Sequence, residues 1–520
     1  MVVFTYIAAG IILLGVCIFV HELGHLLGGK LVGIKAKTFS IGYGKGIIKK
    51  TIGDTTYQIA PIPLGGYCQF YGEDPSEERS GKGYEFLSAH PMKRIVTVAA
   101  GPLFNLFFGI IIFFVMNMVG YDKDTNRVHI PESLTTGKHI SAAYAAGIRS
   151  GDRVLKIGDK EIVSFSDIQA AALFSEGERL DVAVEREGKP MKFLVAPARQ
   201  EASGRYEMGL MPYGSRILVV ELVEGGAAEA AGLKEMDEIV SINGTAVKSE
   251  AEFSKMVQAR AGTQLTFSVL RKKAVMEKKI TPRLVDVVNF QAMDAKGKTG
   301  ETLTLMNSKS LKKYLSKGSI LINGRSARSY DELLRMVTGN QGKKISFEID
   351  GDTYTGTAVI EKVGQIGIFQ AVAPEQVWIQ YRPGKALVQA FIEPYEFIVM
   401  NLKGLGMLFT GKMNVRENLS GPIRIGKIAG DVFYYKGVPD FILLMAKISI
   451  ILMVMNLLPI PVVDGSHIIF FTVEMIRRKP LSQKVMERIQ TVGIVILIML
   501  SAFVILNDIS MLPVIQNLFR

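Results

Sequence analysis

Four long apolar segments dominate the pattern of hydrophobic and polar positions along the chain. The first carries no charge from residue 4 to residue 20. The other three lie at Ile95–Val119, Phe441–Leu458 and Val492–Leu506. Each is close to the ~20 residues that a helix needs to cross a bilayer. The pattern therefore predicts an α-helical polytopic membrane protein with about four spans.

A secretory signal peptide is the alternative explanation of the first segment. Such a peptide has a basic start and a cleavage site of small residues. Residues 1–6 contain no lysine or arginine, so a span is favoured. A further apolar stretch at Phe391–Thr410 is interrupted by Glu393, Glu396 and Lys403, which predicts a helix along the outer surface instead of a fifth span.

Composition supports a membrane protein, and charge sets its predicted orientation. Hydrophobic residues make up 48% of the 520 residues, and the mean hydropathy is +0.25. Two short runs of basic residues follow the first and the third span. They are Lys30, Lys35, Lys37, Lys45, Lys49 and Lys50, and then Arg477, Arg478, Lys479, Lys484 and Arg488. Short basic loops stay in the cytoplasm, so we expect the long region between spans two and three on the extracytoplasmic side.

The net charge of +12 does not indicate nucleic-acid binding. The basic residues are not interleaved with aromatic ones, and no nucleic-acid-binding fold accompanies them. We expect membrane lipid around the spans and no nucleic-acid partner. Cys17 lies in a span and Cys68 in a loop on the cytoplasmic side, so the two cysteines imply no disulfide framework.

One pattern recurs three times between the second and the third span. In each copy a short apolar strand ends in a tight turn, and a helix with an acidic residue near its start follows. The copies lie at Gly151–Ile168, Met236–Phe253 and Lys317–Leu334. Their turns are 80 to 85 residues apart, a spacing too long for a solenoid and suited to small independent domains.

The copies resemble PDZ domains. The first two are also preceded by Ala145-Ala146-Gly147-Ile148 and Ala230-Ala231-Gly232-Leu233, whereas the third lacks this lead-in and is interpreted as a degenerate copy. The resemblance implies tandem PDZ-like α+β domains whose sheet edge takes an extended peptide and whose backbone amides capture its C-terminal carboxylate. The alternative, that these domains are spacers that restrict access, stays open.

The sequence His21-Glu22-Leu23-Gly24-His25 places two imidazoles on one face of a helix, about 40° apart, with a carboxylate beside them. This spacing suits a Zn²⁺ site. The position of the motif adds weight, because such side chains inside a span cost several kcal/mol unless they have partners. The alternative is a polar pair satisfied by neighbouring helices.

A catalytic zinc needs a third protein ligand, and Asp464 is the best candidate. It follows Pro459 and Pro461, which interrupt the third span, and it precedes Gly465. An aspartate exposed by an unwound helix at membrane depth must line a cavity or bind a cation. The alternative is that Asp464 caps the helix that follows. His467 is left out, because a fourth protein ligand would fill the position that catalysis keeps open.

Over nearly its whole length the chain resembles the site-2 protease family of intramembrane zinc metalloproteases. HExxH stands in the first span, and NxxPxPxxDG stands in the third, from Asn456 to Gly465. Supporting matches are Ile62–Tyr67, Gly101–Asn105 and Asn418–Ile423. The departures are the third PDZ-like unit, Val463 where leucine is usual, and Ser466 where glycine is frequent.

This resemblance implies that His21, His25 and Asp464 bind Zn²⁺ and that Glu22 is the general base. Helix geometry agrees, because Glu22 is turned about 100° from His21 and therefore away from the metal-binding face. A zinc ion lowers the pKa of water that it binds, and a neighbouring carboxylate can take the proton.

The resemblance also implies a membrane-associated β-hairpin at Tyr57–Tyr67 whose edge pairs with an unwound transmembrane substrate. It places Asn456, Asn105, Gly65 and Gly66 among the substrate-binding residues. The two asparagines are also available, by this resemblance, to hold groups around the metal ligands, and a hydrogen bond between helices remains the alternative.

These observations divide the chain into nine predicted parts. They are the first span with HExxH at 1–28, the basic loop and β-hairpin at 29–91, the second span at 92–120, PDZ-like units at 121–213, 214–286 and 287–372, a surface helical segment at 373–437, the third span at 438–475, and the basic turn with the fourth span at 476–520.

We expect a Zn²⁺-dependent metalloendopeptidase of the bacterial cytoplasmic membrane that cuts transmembrane segments of single-span proteins. The resemblance suggests an anti-sigma factor or remnants of signal peptides as substrates, cut after another protease has trimmed the outer domain. Two rivals are a PDZ scaffold without catalysis and a metal transporter. The scaffold leaves the zinc ligands without a role, and a transporter needs neither Glu22 nor PDZ-like domains.

Overall fold

The computed structural model describes residues 2–74, 80–131, 134–135, 140–200, 203–223, 225–247, 250–271, 274–293, 299–305, 309–316, 318–349, 352–479 and 482–510. Its α-helices are α1 Val2–Val32, α2 Pro91–Val119, α3 Ala142–Ala146, α4 Phe165–Phe174, α5 Ala227–Ala230, α6 Glu250–Gln258, α7 Lys309–Ser316, α8 Tyr330–Thr338, α9 Pro383–Phe409, α10 Val415–Asn418, α11 Pro422–Asp431, α12 Val438–Leu457, α13 Asp464–Arg477 and α14 Gln483–Ser510. A π-helical turn spans Val432–Lys436.

The strands are β1 Ala36–Tyr43, β2 Ile48–Ile52, β3 Thr55–Ile59, β4 Ile62–Phe70, β5 Tyr121–Asp124, β6 Val128–His129, β7 Arg153–Ile157, β8 Lys160–Glu161, β9 Leu180–Arg186, β10 Lys189–Val195, β11 Ala198–Arg199, β12 Tyr206–Glu207, β13 Met211–Pro212, β14 Gly214–Leu222, β15 Glu238–Ile242, β16 Thr245–Ala246, β17 Leu265–Arg271, β18 Ala274–Ile280, β19 Arg283–Met293, β20 Thr299–Leu305, β21 Ile320–Ile322, β22 Arg325–Ser326, β23 Lys344–Ile349, β24 Asp352–Gln365, β25 Ile368–Pro374 and β26 Gln376–Ile379.

In the described part of the chain, four helices are long and apolar enough to cross a membrane. They are Thr5–Val32 in α1, Pro91–Val119 in α2, Val438–Leu457 in α12 and Lys484–Ile509 in α14. This confirms the predicted number of spans. The helix expected along the outer surface, α9, is not among the four.

Prolines set several helix ends. Pro91 is the first residue of α2, where its missing N–H costs nothing, and His90 precedes it as the N-cap. The third span, α12, ends at Leu457, and α13 begins only at Asp464. Pro459 and Pro461 lie in this gap. They interrupt the helix because proline cannot continue the hydrogen-bond ladder. The interruption of the third span is therefore as predicted.

The described residues form two compact units. The first, called the membrane unit, comprises residues 1–122, 201–205 and 378–520, and the second, called the repeat unit, comprises residues 123–200 and 206–377. All four candidate spans lie in the membrane unit. Its largest apolar cluster joins α2 to α12 through Ile112, Phe113, Ala446 and Ile450, and Ala390 of α9 packs into the same cluster.

A four-stranded mixed sheet follows the first span, in the order β2-β3-β1-β4. The prediction of a hairpin at Tyr57–Tyr67 is wrong in its pairing. β1 lies between β3 and β4, parallel to β3 and antiparallel to β4, and the hairpin of this sheet is instead β2–β3. A strand whose partner comes from an earlier segment cannot be identified from local turn signals, which explains the difference. β4 is left at one edge of the sheet.

In the repeat unit, each of the three predicted copies builds its own sheet and apolar core. The first module, residues 128–212, contains the sheet β10-β9-β7-β8. The third module, residues 283–365, contains the sheet β20-β19-β24-β23-β21-β22. The second module is discontinuous, because its sheet β18-β17-β15-β14-β25 draws its last strand from beyond the third.

The third module is thus inserted into the second. β25 pairs with β14 from Leu222↔Ile368 to Gly214↔Pro374, and Ile366 and Ile368 belong to the core of the second module. The sequence predicts these units as consecutive segments, at 214–286 and 287–372, and it does not predict the insertion. The reason is that a strand that completes a distant sheet leaves no local signal in the sequence. The assignment of the three modules as PDZ-like stays a prediction.

Candidate metal centre

The histidines of the HExxH motif lie inside α1, four residues apart on one face. The Nε2 atoms of His21 and His25 are 3.0 Å apart, and the ring planes are nearly perpendicular. His25 is buried, with 9% of its surface exposed. Both rings therefore direct the same nitrogen to one point inside the helical core.

Asp464 reaches this point from the first turn of α13. Its Oδ2 atom lies 3.1 Å from His21 Nε2 and 3.6 Å from His25 Nε2. The N-cap of α13 is Val463, and the Asp464 carboxylate contacts the two histidines, which argues against the capping alternative. Oδ2 is buried and makes no hydrogen bond within the described part of the chain.

The three donor atoms fit a zinc ion. With ligand bonds of ~2.0–2.1 Å, the corners of a tetrahedral zinc site lie ~3.3 Å apart. The three observed separations are 3.0, 3.1 and 3.6 Å. Among the described residues, His21, His25 and Asp464 form the group of His, Cys, Asp and Glu side chains that could hold a metal ion. Three protein ligands leave the fourth corner for water or substrate.

Glycines let the helices approach closely enough to form the cluster. A Cβ atom on Gly24 would lie 2.4 Å from the Ala100 carbonyl oxygen, and one on Gly28 would lie 2.4 Å from Ala100 Cβ. A Cβ atom on Gly101 would lie 2.4 Å from the His25 ring. Small residues at such crossings allow the backbones of membrane helices to touch. The contact between α1 and α2 therefore sets where His25 stands.

The second ring nitrogens contact residues outside the cluster. His25 Nδ1 lies 3.0 Å from the backbone carbonyl oxygen of Thr97, and His21 Nδ1 lies 3.3 Å from the side-chain amide nitrogen Nδ2 of Asn105. The Ser449 hydroxyl in turn lies 3.0 Å from the Asn105 backbone oxygen and 3.1 Å from the Asn105 side-chain oxygen Oδ1, both of which accept hydrogen bonds. Such outer contacts orient the histidines of metal sites.

Glu22 points to the sheet that follows the first span. Its carboxylate accepts a hydrogen bond from the backbone N–H of Cys68 and lies close enough to His25 and Asp464 to interact with their charges. A Cβ atom on Gly66 would lie 3.5 Å from Glu22 Cγ. Burial raises the pKa of the Cys68 thiol, so this neighbour is uncharged at neutral pH. The strand β4 therefore holds the carboxylate beside the donor cluster.

The other predicted site residues stand at different distances from the cluster. Gly65 and Gly66 lie in β4 beside Glu22, and Gly65 has φ +154 with the Tyr43 ring where a Cβ atom would stand. Asn105 contacts His21, and it is fully buried. Asn456 is half-buried in the last turn of α12. Its predicted role in binding substrate stays a prediction.

Sequence reasoning missed three contributors to the site. Thr97 and Cys68 act through their backbones, for which the side-chain pattern carries no signal. Ser449 is a hydroxyl on an apolar span, and its polarity at that place is a signal that could have identified it.

Comparison with known proteins then decides the family. The model of Peptidase family M50 matches residues 9–500. The chain belongs to peptidase family M50. The resemblance to site-2 proteases is thereby confirmed, and this M50 chain is a metalloendopeptidase with candidate membrane spans.

Relatives match along almost their whole length. The Regulator of sigma-E protease RseP of Escherichia coli is 26% identical over 525 residues, which cover 97% of this chain and 98% of the relative. A Treponema pallidum protein with the name "Putative zinc metalloprotease" is 27% identical over 528 residues, which cover 97% and 99%. These names support Zn²⁺ as the cofactor of this M50 peptidase.

Proposed function

We propose that the chain is a zinc-dependent intramembrane endopeptidase that cleaves transmembrane segments of single-span membrane proteins. His21, His25 and Asp464 hold the metal, and Glu22 is the general base. The observation that carries the proposal is the convergence of His21 Nε2, His25 Nε2 and Asp464 Oδ2 within 4.8 Å of one another, on helices that are candidate spans or directly adjoin one.

Each side chain has a defined task in this proposal. Bound zinc would polarise the scissile carbonyl and acidify a water molecule. The Glu22 carboxylate takes a proton from the attacking water and returns it to the leaving amine. The N–H of Cys68 orients that carboxylate by a hydrogen bond. Asp464 balances part of the metal charge inside a medium of low dielectric constant.

The edge strand β4 is the proposed binding place for substrate backbone. A transmembrane helix hides its peptide bonds in internal hydrogen bonds, so it must unwind before cleavage. A strand that pairs with the open edge of β4 replaces the lost bonds. Gly65 and Gly66 lie in this strand, where the absence of side chains lets β4 pack closely against the Tyr43 ring and the Ser40 carbonyl, and Gly66 is close to Glu22.

Lipid is a second proposed partner of the same sheet. Large apolar side chains on the β2–β3 hairpin are exposed by 47% to 70%, and lysines lie among them. They are Ile47, Ile48, Ile52 and Ile59, with Lys49 and Lys50. Apolar side chains next to basic ones are typical of a surface at the membrane interface.

The proposed orientation of the chain in the membrane is inferred from the positions of its basic residues. The basic runs after the first and the third span favour a cytoplasmic position for both. The three modules, taken as PDZ-like domains, then lie outside the cytoplasm of a bacterial inner membrane. There they bind peptide C-termini or restrict the size of substrates, and an anti-sigma factor or a signal-peptide remnant are the substrates that the family suggests.

Cleavage of a model span tests the enzymatic proposal. The full-length protein is purified with zinc and incubated with a single-span substrate. We expect Glu22→Gln to lower the cleavage rate by roughly 10²–10⁴-fold, the usual contribution of general acid–base catalysis, with unchanged zinc content. Glu393→Gln, a carboxylate change in α9, serves as the matched control and should cleave like wild type.

Two outcomes would contradict the proposal. Equal cleavage by wild type and Glu22→Gln would remove the general base and favour a scaffold. Zinc flux across proteoliposomes that persists in Glu22→Gln, without cleavage by either protein, would favour a transporter.

A further inference from the structure

The place at which the third module is inserted follows from a comparison of the first two modules. In the first module the Ala143 N–H donates to the Met208 carbonyl oxygen at 2.9 Å. In the second module the Ala228 N–H donates to the Ile366 carbonyl oxygen at 2.8 Å, so Met208 and Ile366 correspond. The two residues before them pair with β11 in the first module and with the start of β19 in the second. The third module therefore lies where the first module has only the connection of residues 200–205.

The third module forms part of the wall of a cavity of about 390 Å³ on the second module. Helix α6 and the start of β25 also line this cavity. The chain at the C-terminal end of α6 touches the end of β24, because a Cβ atom on Gly364 would lie 2.9 Å from Ala261 Cβ and 3.0 Å from the Gln258 carbonyl oxygen. The side chains that β19 and β24 contribute are Val287, Asn289, Glu361 and Val363. The cavity is therefore shared between two modules.

These side chains lie on the outer face of the third module's sheet. Val288 and Phe290 belong to the apolar core of that module, so Val287 and Asn289, which alternate with them along β19, face away from it. Glu361 of β24 pairs with Val287 and shares its face. Val287 is nevertheless only 2% exposed. The outer face of the sheet is thus covered at Val287, and the cavity lies beside it.

Next to the cavity, the second module has an unpaired strand edge. β25 is the last strand of its sheet, and among the described strands it pairs with β14 alone. The other two modules differ. In the third, the strand against α8 is β24, which pairs with both β19 and β23. In the first, the strand at the position of β25 is β13, which is only Met211–Pro212. An extended peptide can join the edge of β25 through main-chain hydrogen bonds.

The charge of the cavity indicates which peptide fits it. Glu361 is the one charged side chain among the residues that line it, and this side chain is exposed. The Asn289 amide donates a hydrogen bond to Glu361 Oε2 at 2.8 Å, which orients the carboxylate. The uncharged polar side chains of the lining are Ser254, Gln258, Asn289 and Gln365. A lysine or arginine side chain would meet an opposite charge in this cavity, whereas a C-terminal carboxylate would meet a like charge.

We propose that the second and third modules together form a peptide site, in which an extended segment of a partner protein pairs with β25 and places a lysine or arginine side chain against Glu361. The site goes beyond the proposed function, because it does not involve the donor cluster. It also differs from what the resemblance to PDZ domains implies. Here the inserted module supplies the recognition, and a basic side chain takes the place of the terminal carboxylate.

Peptide binding to the purified full-length protein, followed by fluorescence anisotropy, tests this inference. The probes are three labelled mixtures of octapeptides with both ends blocked. A central residue is lysine, glutamine or glutamate, and the other positions are random among valine, threonine and serine. We expect the lysine mixture to bind about 5-fold more tightly than the glutamine mixture, the upper end for an exposed ion pair, and the glutamate mixture to bind most weakly.

Variants of Glu361 assign the preference to the third module. Glu361→Gln should bind the lysine and glutamine mixtures equally, and Glu361→Lys should bind the glutamate mixture most tightly. Glu277→Lys is the matched control, because Glu277 is exposed on β18, at the opposite edge of the second module's sheet, and the wild-type order should persist there. Zinc content and cleavage of a model span should stay at the wild-type value in all three variants, so failure of the proposed function would be distinguishable.

Hydrogen exchange of the full-length protein locates the bound peptide. The lysine mixture should slow exchange in β25 and α6, which border the cavity, and should leave β9 and β10 of the first module unchanged. Glu361→Lys should lose this protection with the lysine mixture.

Three results would overturn the inference. One is equal binding of the three mixtures by the wild-type protein, or binding of none of them. Another is an unchanged order of affinities in Glu361→Lys. The last is a mixture with a free C-terminal carboxylate that binds more tightly than the blocked lysine mixture and protects the same strand, which would favour the carboxylate capture that the resemblance implies.

Discussion

The membrane unit and the repeat unit satisfy their buried polar groups in different ways. In the first two modules of the repeat unit, an aspartate pairs with an arginine 34 residues later: Asp152 with Arg186 and Asp237 with Arg271. Around the donor cluster, the partners are far apart in sequence, as with Ser449 and Asn105 at a separation of 344 residues. The first two modules thus repeat the same Asp–Arg pair, whereas the donor cluster depends on how whole helices pack.

The third module sharpens this contrast within the repeat unit. Asn243 and Asn323 each accept the N–H of a strand residue 23 positions later at 2.8 Å, so the turn is kept. Ile320 pairs with Ile349 as Ile239 pairs with Val269, which puts Gly318 at the position of Asp237. The buried acid, and with it the ion pair, is lost in the inserted module.

The largest effect is expected where two spans touch at the site. Gly101→Ala would place a methyl group 2.4 Å from the His25 ring, which is tied to Thr97 and to the cluster. A shift of ~1 Å at a reacting centre can cost ~10²-fold in rate. We therefore expect cleavage to fall about 100-fold and zinc affinity to fall with it, although alanine favours a helix more than glycine does.

Gly15→Ala in α1 is the control for Gly101→Ala, since a Cβ atom there meets nothing within 4 Å. It should cleave like wild type. If Gly101→Ala retained full activity and full zinc affinity, the site would not depend on close packing of α1 against α2.

A smaller, local effect is expected in the second module. Asp237 is fully buried, and both its oxygens lie 2.6 Å from the Arg271 guanidinium, which also donates to the Gly232 carbonyl. Removing one partner of such a pair usually costs about 3–5 kcal/mol, and the partial exposure of Arg271 favours the lower end. Asp237→Ala should therefore speed hydrogen exchange in β15 and β17 of the full-length protein.

Exchange in β21 and β23 of the third module should stay unchanged in Asp237→Ala, because that module has no such pair in its described residues. Glu277→Ala, at an exposed position of the same sheet, is the matched control. Unchanged exchange in Asp237→Ala would show that the repeated pair is not a determinant of module stability.

The contrast also explains what the sequence could predict. Two histidines on one helix face and an aspartate after two prolines carry their signals locally, so the pattern and the cost of burying such side chains in a span predict that His21, His25 and Asp464 come together, as they do. The number of spans follows from the same apolar runs. These features depend on a few neighbouring residues and on the solvent, not on which helices meet.

Features that depend on distant pairing could not be predicted. β1 separates β3 from β4, and β25 completes a sheet begun more than 140 residues earlier at β14, because strand pairing is decided between segments. Thr97 acts through its carbonyl, which every residue possesses. For Asn105, the pattern indicates a polar group near the site, but its burial and its contacts with His21 and Ser449 depend on how the helices pack.

Glu85 is a buried acid of the membrane unit whose hydrogen-bond partners are all close to it in sequence, as in the modules of the repeat unit. Its carboxylate accepts four hydrogen bonds, from Ser80 N–H and Oγ–H, Gly81 N–H and Ser88 Oγ–H, at 2.6 to 3.0 Å. These bonds favour the charged form and lower the pKa of Glu85 from 4.5 to about 2. A group with a depressed folded-state pKa stabilises the fold fully above its unfolded pKa and loses this contribution as pH falls.

We therefore expect residues 80–89 to open progressively between about pH 4.5 and pH 2, measured as faster local hydrogen exchange after correction for intrinsic rates. In Glu85→Gln this acid-dependent part should disappear, because no proton is taken up, and the segment should exchange faster already at neutral pH. Equal pH dependence in wild type and Glu85→Gln would show that the hydrogen bonds to Glu85 do not stabilise the segment, and that local satisfaction of a buried charge matters only in the modules.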